Sequence, residues 1–373
     1  MLKVAIIINT SWNIYNFRRG IISHYLKAGH EVVAIAPKDE YSSKLIDIGC
    51  EYQELSMSGS GMNPVSDLIL LYKHWYLLKN VKPDVVLTYT IKPNIYGSIA
   101  CGWLKIPCIC NVSGLGTVFL WKGWVKKFAS WLYRYSFKKN SWVFFQNNDD
   151  RLQFLSSVEL DIEKTSLLPG SGINIKSFEY TSTDYGDTPI FLMIARLLID
   201  KGVYEYAEAA ERYINSGKKA VFWLIGEKDP DHKRSIDLLA LQKWQDAGII
   251  DYYNKVDDIR GIIGRAEVVV LPSYREGTPR TLLEGGAMGR ALIATDVPGC
   301  REVVEHGNNG FLCEVKNSQS LFEAMVKYSD LSRTEKEQLS RNSRIKIEKE
   351  FDENLVIQLY SDKINELLDN KLD

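Results

Sequence analysis

The chain has 373 residues, 45% hydrophobic and 25% charged, with a formal net charge of −1, an ordinary soluble balance that is comfortable for two domains. No apolar run approaches the roughly 18–20 residues of a membrane span, and Met1–Ile8 is too short for a cleavable signal. The six cysteines show neither a paired framework nor metal-ligand spacing, which excludes a disulfide scaffold and a cysteine metal centre and fits a reducing cytosol. The charge is uneven. Residues 1–185 hold 20 Lys+Arg against 15 Asp+Glu (+5), and the remainder holds 26 against 32 (−6). The basic half is the one to meet an anionic surface or acceptor.

In chain order, strand-like runs at Val4–Ile8, Glu31–Ala36, Val85–Tyr89, Cys108–Val112 and Trp142–Phe145 alternate with helical patterns over Gly20–Lys27, Ser66–Asn80 and Asn94–Leu104. That alternation predicts βαβ units and a parallel sheet. No Gly-x-Gly-x-x-Gly follows Val4–Ile8, so a dinucleotide site lacks its fingerprint. Phe119–Trp142 carries nine aromatics, six Lys/Arg and no acid in 24 residues. At helical spacing Trp124, Phe128, Trp131 and Tyr135 fall in a stripe roughly 60° wide, with Lys122 and Lys126 on the far side and Lys127 and Arg134 on one flank. Such a helix either lies on an anionic membrane, with Lys122, Trp124, Lys126, Lys127 and Trp131 in contact, or buries its aromatics against the sheet. Gly170–Pro189, rich in Gly, Ser, Thr, Asp and Pro, reads as a linker. A second series of strands follows at Ile190–Ala195, Ala220–Ile225, Ile249–Tyr253, Val268–Leu271 and Ala291–Thr295.

Two of these strands lead into chemistry. After Ile190–Ala195 come Arg196, then Asp200 as an N-cap with Lys201-Gly202 in the first turn of a helix over Val203–Ile214. A lysine there faces the positive end of the helix dipole, at a cost of roughly 0.3–1 kcal/mol that an anion in the site would offset. Gly202 would let that anion approach the backbone. After Val268–Leu271 and Pro272 comes Glu276-Gly277-Thr278-Pro279-Arg280-Thr281-Leu282-Leu283-Glu284. Thr278 suits an N-cap and Pro279 the first helical position, leaving the N–H groups of Arg280, Thr281 and Leu282 open to a phosphate. Glu276 sits in the loop, and Glu284 shares a helix face with Arg280. A phosphate cradle between two hydroxyl-binding carboxylates suits a nucleotide sugar. The plainer reading is a strand-loop-helix unit with two solvated glutamates and a surface lysine.

Taken in order, Ala195-Arg196-Leu197 with Lys201-Gly202, then Glu276-x7-Glu284, then Thr295-Asp296-Val297-Pro298-Gly299-Cys300-Arg301-Glu302 resemble family 4 of the retaining glycosyltransferases. The resemblance implies an α/β chain of the GT-B fold, two Rossmann-like parallel-sheet domains facing across a cleft. It implies an acceptor domain at 1–170, a donor domain at 188–350, and a last helix within 351–373 that crosses back to the first domain. By the same resemblance Arg196 and Lys201 hold the donor diphosphate, Glu276 the sugar hydroxyls and Glu284 the ribose. Gly277–Leu282 line the donor and Val256 lies beside the base. The glycine-rich loop Gly114-Leu115-Gly116, with Ser113, Thr117 and Lys92, borders the acceptor.

Two histidines common in that family are absent, with Ser113 and Tyr89-Thr90 in their places. Asn111-Val112-Ser113-Gly114-Leu115-Gly116 matches a subgroup that extends polyprenyl-diphosphate-linked saccharides. The implied reaction moves a sugar, an N-acetylhexosamine, from a UDP-sugar to such an acceptor, on the inner face of the plasma membrane and without nucleic acid. Arg196, Lys201 and the helix start at Thr278–Leu282 supply positive charge to the leaving diphosphate, so no metal or other cofactor is expected. Asp229-Pro230-Asp231, which matches a metal-binding pattern of another glycosyltransferase fold, is read as a loop. No carboxylate of the first domain is placed as a nucleophile, which favours a front-face route over a covalent one. A sugar-nucleotide epimerase and a non-catalytic nucleotide-sugar binder are the competing readings.

Overall fold

The computed structural model describes residues 1–57, 63–114, 124–137, 141–228 and 232–369. The chain forms two units, Met1–Ser171 with Asn354–Asp373, and Gly172–Glu353. The first contains β1 (Lys3–Ile7), α1 (Ser11–Lys27), β2 (Glu31–Ala36), α2 (Tyr41–Asp47), β3 (Glu51–Glu54), α3 (Pro64–Val81) and β4 (Val85–Tyr89). It continues with α4 (Ser98–Leu104), β5 (Cys108–Val112), α5 (Trp124–Phe137), β6 (Ser141–Phe145), α6 (Asn148–Leu155) and β7 (Thr165–Leu167). The second unit contains β8 (Ile190–Ile194), α7 (Val203–Asn215), β9 (Val221–Ile225), α8 (Leu238–Asp246), β10 (Asp251–Tyr253), α9 (Arg260–Ile263) and β11 (Val268–Leu271). It ends with α10 (Arg280–Ala287), β12 (Ala291–Thr295), α11 (Cys300–Val303), β13 (Gly310–Cys313), α12 (Ser318–Ser329) and α13 (Arg333–Glu350). The last helix, α14 (Glu353–Asp369), packs on the first sheet.

Both sheets are parallel throughout. Their strand orders are β3-β2-β1-β4-β5-β6-β7 and β10-β9-β8-β11-β12-β13. Central strands are buried from end to end, as helices on both faces require, which is why they read as predominantly apolar runs. The expected strands are present within one or two residues of their predicted bounds. The sequence reading missed β3, Glu-Tyr-Gln-Glu, and the short β7, at the two edges of the first sheet where burial no longer demands an apolar run, and it missed β13, a four-residue edge strand that is mostly buried.

Helix starts differ for local reasons. α1 begins nine residues before the expected Gly20, because the Thr10 side chain accepts from the Asn13 N–H at 3.2 Å. α3 starts at Pro64 behind Asn63, whose side chain accepts from Val65 and Ser66. The expected Asn94–Leu104 helix opens instead as a π-helical turn over Pro93–Gly97. The predicted linker is also mostly not one. The chain passes between units at Ser171–Gly172, and the segment after it is fastened to the second unit. The Arg344 guanidinium donates there to the carbonyls of Phe178, Ala287 and Ile175.

α14 is anchored by Tyr360, fully buried against Phe144 (ring centroids 5.1 Å) and accepting from Asn111 Nδ2 at 3.0 Å. On α3, His74 is completely buried. Its Nδ1 donates to the Leu70 carbonyl at 2.8 Å, and Nε2 has no partner among the described residues. Burial therefore lowers its pKa to about 4. The unfolded chain holds this proton more tightly, so the stability His74 contributes is complete above about pH 6.5 and is lost as pH falls toward 4. Urea unfolding should show a loss of about 3 kcal/mol across that window, a slope that His74→Leu removes. An unchanged slope in the variant would assign the acid sensitivity elsewhere.

Candidate functional site

In the second sheet, β8 and β11 are neighbours whose connections leave in opposite directions, and ligands of such sheets bind beyond the carboxyl ends at this switch point. The loop after β8 carries Arg196 and Lys201, and the loop after β11 carries Glu276. The structure brings them together. Lys201 Nζ forms an ion pair with Glu276 Oε1, with side-chain exposures of only 19% and 13%. Arg196 is exposed, and its guanidinium has no hydrogen-bond or ion-pair partner among the described residues. The anion inferred from a lysine beside a helix start is thus, in the free protein, a carboxylate of the chain itself.

Two glycines make this approach possible. Residues 199–201 form a single 3₁₀ turn, and Gly202, at φ +76°, is the N-cap of α7. A Cβ on Gly202 would lie 2.0 Å from the Pro272 carbonyl oxygen, so it is the β11 loop, rather than a ligand, that approaches the backbone here. Asp200 is accordingly not the cap. Its carbonyl accepts from Ser273 Oγ at 3.1 Å and from the Tyr274 N–H at 2.9 Å, while its carboxylate pairs with Arg234. Gly299, at φ +87°, would place a Cβ 2.2 Å from the Gly277 carbonyl oxygen, so the Pro298-Gly299 turn closes against the Glu276 loop. The Tyr274 hydroxyl donates to Glu205 Oε1 at 2.6 Å and fixes the loop's other side.

α10 also starts differently from expectation. Pro279 is the N-cap and makes no side-chain cap bond, so Thr278 stands one residue outside, and the first helical residue is Arg280. Of the three N–H groups expected to be open, that of Leu282 is spent on the Pro279 carbonyl at 3.1 Å, and that of Thr281 has no partner among the described residues. Arg280 Nε donates to Glu284 Oε1 at 3.0 Å, and its Nη1 donates to the Gly172 carbonyl at 3.1 Å. Burial pushes the Glu284 carboxyl above the usual carboxylate range, against the pull of Arg280. Val256 is exposed in the loop after β10, at the same end of the sheet.

The first unit has its own cavity, of about 250 Å³, at the carboxyl ends of β4 and β5. Ser113, Gly114 and Lys92, three of the residues the resemblance assigned to the acceptor side, line it together with Asn9, Thr90 and Asn111. Lys92 is not a free cation, since its Nζ pairs with the buried Asp67 at 3.1 Å. Sequence reading missed Thr90 and Asn94. Thr90 holds φ +66° with a buried hydroxyl that has no partner among the described residues, and Asn111 Oδ1 is in the same state. Asn94 ties the floor together, accepting from Thr88 Oγ1 and donating to the Asn111 carbonyl. The available signal for a polar site here was Asn111, an asparagine in the otherwise apolar strand β5.

Gly116, Thr117, Lys122, Asp229 and Asp231 lie outside the described residues, as do the side chains of Trp124 and Lys126. The rest of α5 buries Ala129, Tyr133 and Phe137 and exposes Phe128, Trp131 and Tyr135, whose rings stack in series at 6.1 and 6.0 Å. The predicted aromatic stripe is therefore, in its described part, the outer face of the helix. The sheet-packed reading of those three residues is overturned. Lys127 is exposed beside them.

Comparison with known proteins is consistent along the whole chain. The family model "Glycosyl transferases group 1" matches residues 188–330, and the model "Glycosyl transferase 4-like" matches residues 3–147. The chain is 30% identical to the N,N'-diacetylbacillosaminyl-diphospho-undecaprenol alpha-1,3-N-acetylgalactosaminyltransferase of Campylobacter jejuni, over 96% of this chain and 97% of the relative. It is 28% identical to the UDP-Gal:alpha-D-GlcNAc-diphosphoundecaprenol alpha-1,3-galactosyltransferase of Escherichia coli, over 71% and 70% of the two chains. A glycosyltransferase crystal structure from Rickettsia africae superposes with a TM-score of 0.81 at 18% identity, covering 99% of each chain. The two-sheet architecture is that of the GT-B glycosyltransferases.

Proposed function

The chain belongs to the group 1 glycosyltransferases, and from that premise we propose that it moves an N-acetylhexosamine from a UDP-sugar to a polyprenyl-diphosphate-linked saccharide, with retention and without a metal. The observation that carries this reading is the convergence of Arg196, Lys201 and Glu276 at the switch point of the second sheet. Transfer breaks the bond between the anomeric carbon and the donor phosphate oxygen. Negative charge then builds on the diphosphate, and fixed cations aimed at it lower the barrier. The unpaired Arg196 guanidinium offers two parallel bonds to phosphate oxygens, and Lys201 adds a point charge. On this reading Glu276, held by Lys201, accepts from sugar hydroxyls, and the buried Glu284 from the ribose. On the front-face route the acceptor oxygen bonds the anomeric carbon from the side the leaving group departs, and its proton passes to the released phosphate.

The acceptor class is supported by both relatives, whose names specify undecaprenyl-diphosphate acceptors; the N-acetylhexosamine is supported by the Campylobacter jejuni relative alone, and the UDP donor by the Escherichia coli relative, which names UDP-Gal. No described helix is long and apolar enough to cross a membrane. A lipid-linked acceptor therefore implies peripheral contact at the inner face of the plasma membrane, and the exposed stack Phe128–Trp131–Tyr135 beside Lys127 is suited to it.

The test is a panel of nucleotide sugars with and without a polyprenyl-diphosphate-linked saccharide, scored for nucleotide release and for the anomeric configuration of the product. The expected result is acceptor-dependent release of UDP, a retained configuration and full activity in excess chelator. A Mg²⁺ or Mn²⁺ requirement that disappears with Asp229 or Asp231 would overturn the metal-free mechanism. Interconversion of the donor without acceptor would make the protein an epimerase, and binding without turnover a nucleotide-sugar receptor.

A further inference from the structure

α3 is apolar on two opposite sides. Its inner face buries Leu70, His74 and Leu78 in the first unit. On its outer face Val65 (68% exposed), Leu68 (68%), Ile69 (51%), Tyr72 (60%) and Tyr76 (55%) stand in solvent. At ~100° per residue these five form a stripe roughly 100° wide, centred about 180° from the buried one. Single exposed apolar residues are ordinary, but a continuous stripe along about three turns marks an interaction surface. A surface helix normally turns its polar side outward, and this one does not.

The neighbouring helices also expose large apolar side chains. α3, α4 and α5 cover the same face of the sheet, contributing together to one core. α4 exposes Trp103 at 53%, and α5 exposes Phe128, Trp131 and Tyr135. The charge on these three helices identifies the partner. They hold five Lys/Arg (Lys73, Lys79, Lys126, Lys127 and Arg134), of which Arg134 pairs with the exposed Glu159, against one acid, Asp67, which is buried and paired with Lys92. Lys73 and Lys79 are exposed beside the stripe, and Lys79 Nζ lies over the Trp75 ring at 4.8 Å. Aliphatic and aromatic side chains flanked by lysines, with no exposed carboxylate on the same helices, match an anionic bilayer: the apolar row enters the headgroup boundary and the ammonium groups meet lipid phosphates. The stripe begins at the N-terminal turn of α3, where Asp67 holds Lys92 at the wall of the first-unit cavity.

We propose that the outer face of α3 is the principal membrane-docking surface of this protein, seating the first unit on anionic lipid with the cavity mouth at the headgroup level. This rests on the reading of the acceptor as lipid-linked and assigns the contact to a helix other than the basic-aromatic α5.

The test is Leu68→Gln, Ile69→Gln and Tyr72→Gln combined in the full chain. Vesicle co-sedimentation is measured with phosphatidylcholine alone and with phosphatidylglycerol included. Binding to the anionic vesicles should fall roughly 100-fold, while melting temperature and turnover on a short water-soluble acceptor stay at wild-type values. Lys73→Gln with Lys79→Gln should mainly reduce the salt-sensitive part of the binding. Wild-type-like vesicle binding in the triple variant overturns the proposal, and so does a wild-type dimer that the triple variant converts to monomer without loss of vesicle binding. Failure of the lipid-linked reading would show separately, as absence of transfer to any polyprenyl-linked acceptor by a protein that still binds vesicles through α3.

Discussion

Arg196→Ala should fold with wild-type stability and lose about 10²–10³ in kcat, because its guanidinium is exposed, makes no bond in the free protein and acts only when diphosphate arrives. Lys201→Ala should lose a comparable factor, but not as cleanly. Lys201 is held by Glu276 in a site where both side chains are mostly buried, so its removal strands a carboxylate and also lowers stability. A double-mutant cycle separates the two effects. Lys201→Ala with Glu276→Ala should recover part of the stability that Lys201→Ala loses, and none of the turnover, since the point charge is still missing. Melting temperature and single-turnover transfer in the four proteins give the answer. Turnover within twofold of wild type in both Arg196→Ala and Lys201→Ala would remove these residues from the donor site. Glu276→Ala should alter discrimination between nucleotide sugars more than affinity for UDP alone.

Arg290→Met should be among the most damaging single changes to stability, at about 3–5 kcal/mol, although Arg290 is far from any role in chemistry. The side chain is completely buried without an ion-pair partner among the described residues. Its guanidinium donates to the carbonyls of Gly264, Ala266, Met288 and Thr181. It sits directly before β12 and ties the amino ends of the sheet to the segment that leads into the second unit. Burial lowers its pKa, but the carbonyl ring keeps it hydrogen-bonded. Methionine fills much of the same volume and leaves those oxygens without their donor, so the loss comes from desolvated carbonyls rather than from a cavity. Urea unfolding followed on the second unit should show the destabilisation, with Arg290→Lys intermediate. Activity per folded molecule should be unchanged, because the donor residues lie at the opposite, carboxyl edge. A loss below about 1 kcal/mol would mean that water replaces the guanidinium.

The sequence alone determined the two parallel sheets, because strands buried on both faces must be predominantly apolar, and Val85–Tyr89, Cys108–Val112, Val268–Leu271 and Ala291–Thr295 are such runs with bounds matched to the residue. It also determined the family, since motifs around Arg196, Lys201, Glu276 and Glu284 keep their order and gaps. It could not show that Lys201 and Glu276 pair across 75 positions of chain, nor that Gly202 is a glycine to admit the Pro272 carbonyl. Those facts depend on which strands become neighbours. Local pattern misled at Asp200 and Thr278, where good capping residues lost to loop contacts made by Ser273, Tyr274 and Gly299. The basic-aromatic α5 was conspicuous in composition, whereas the outer face of α3 was not. A helix apolar on two opposite sides reads as buried, and only the packed structure decides that one of those faces has no described residue to cover it. Periodicity reports that a face is apolar, and tertiary contacts report what the face meets.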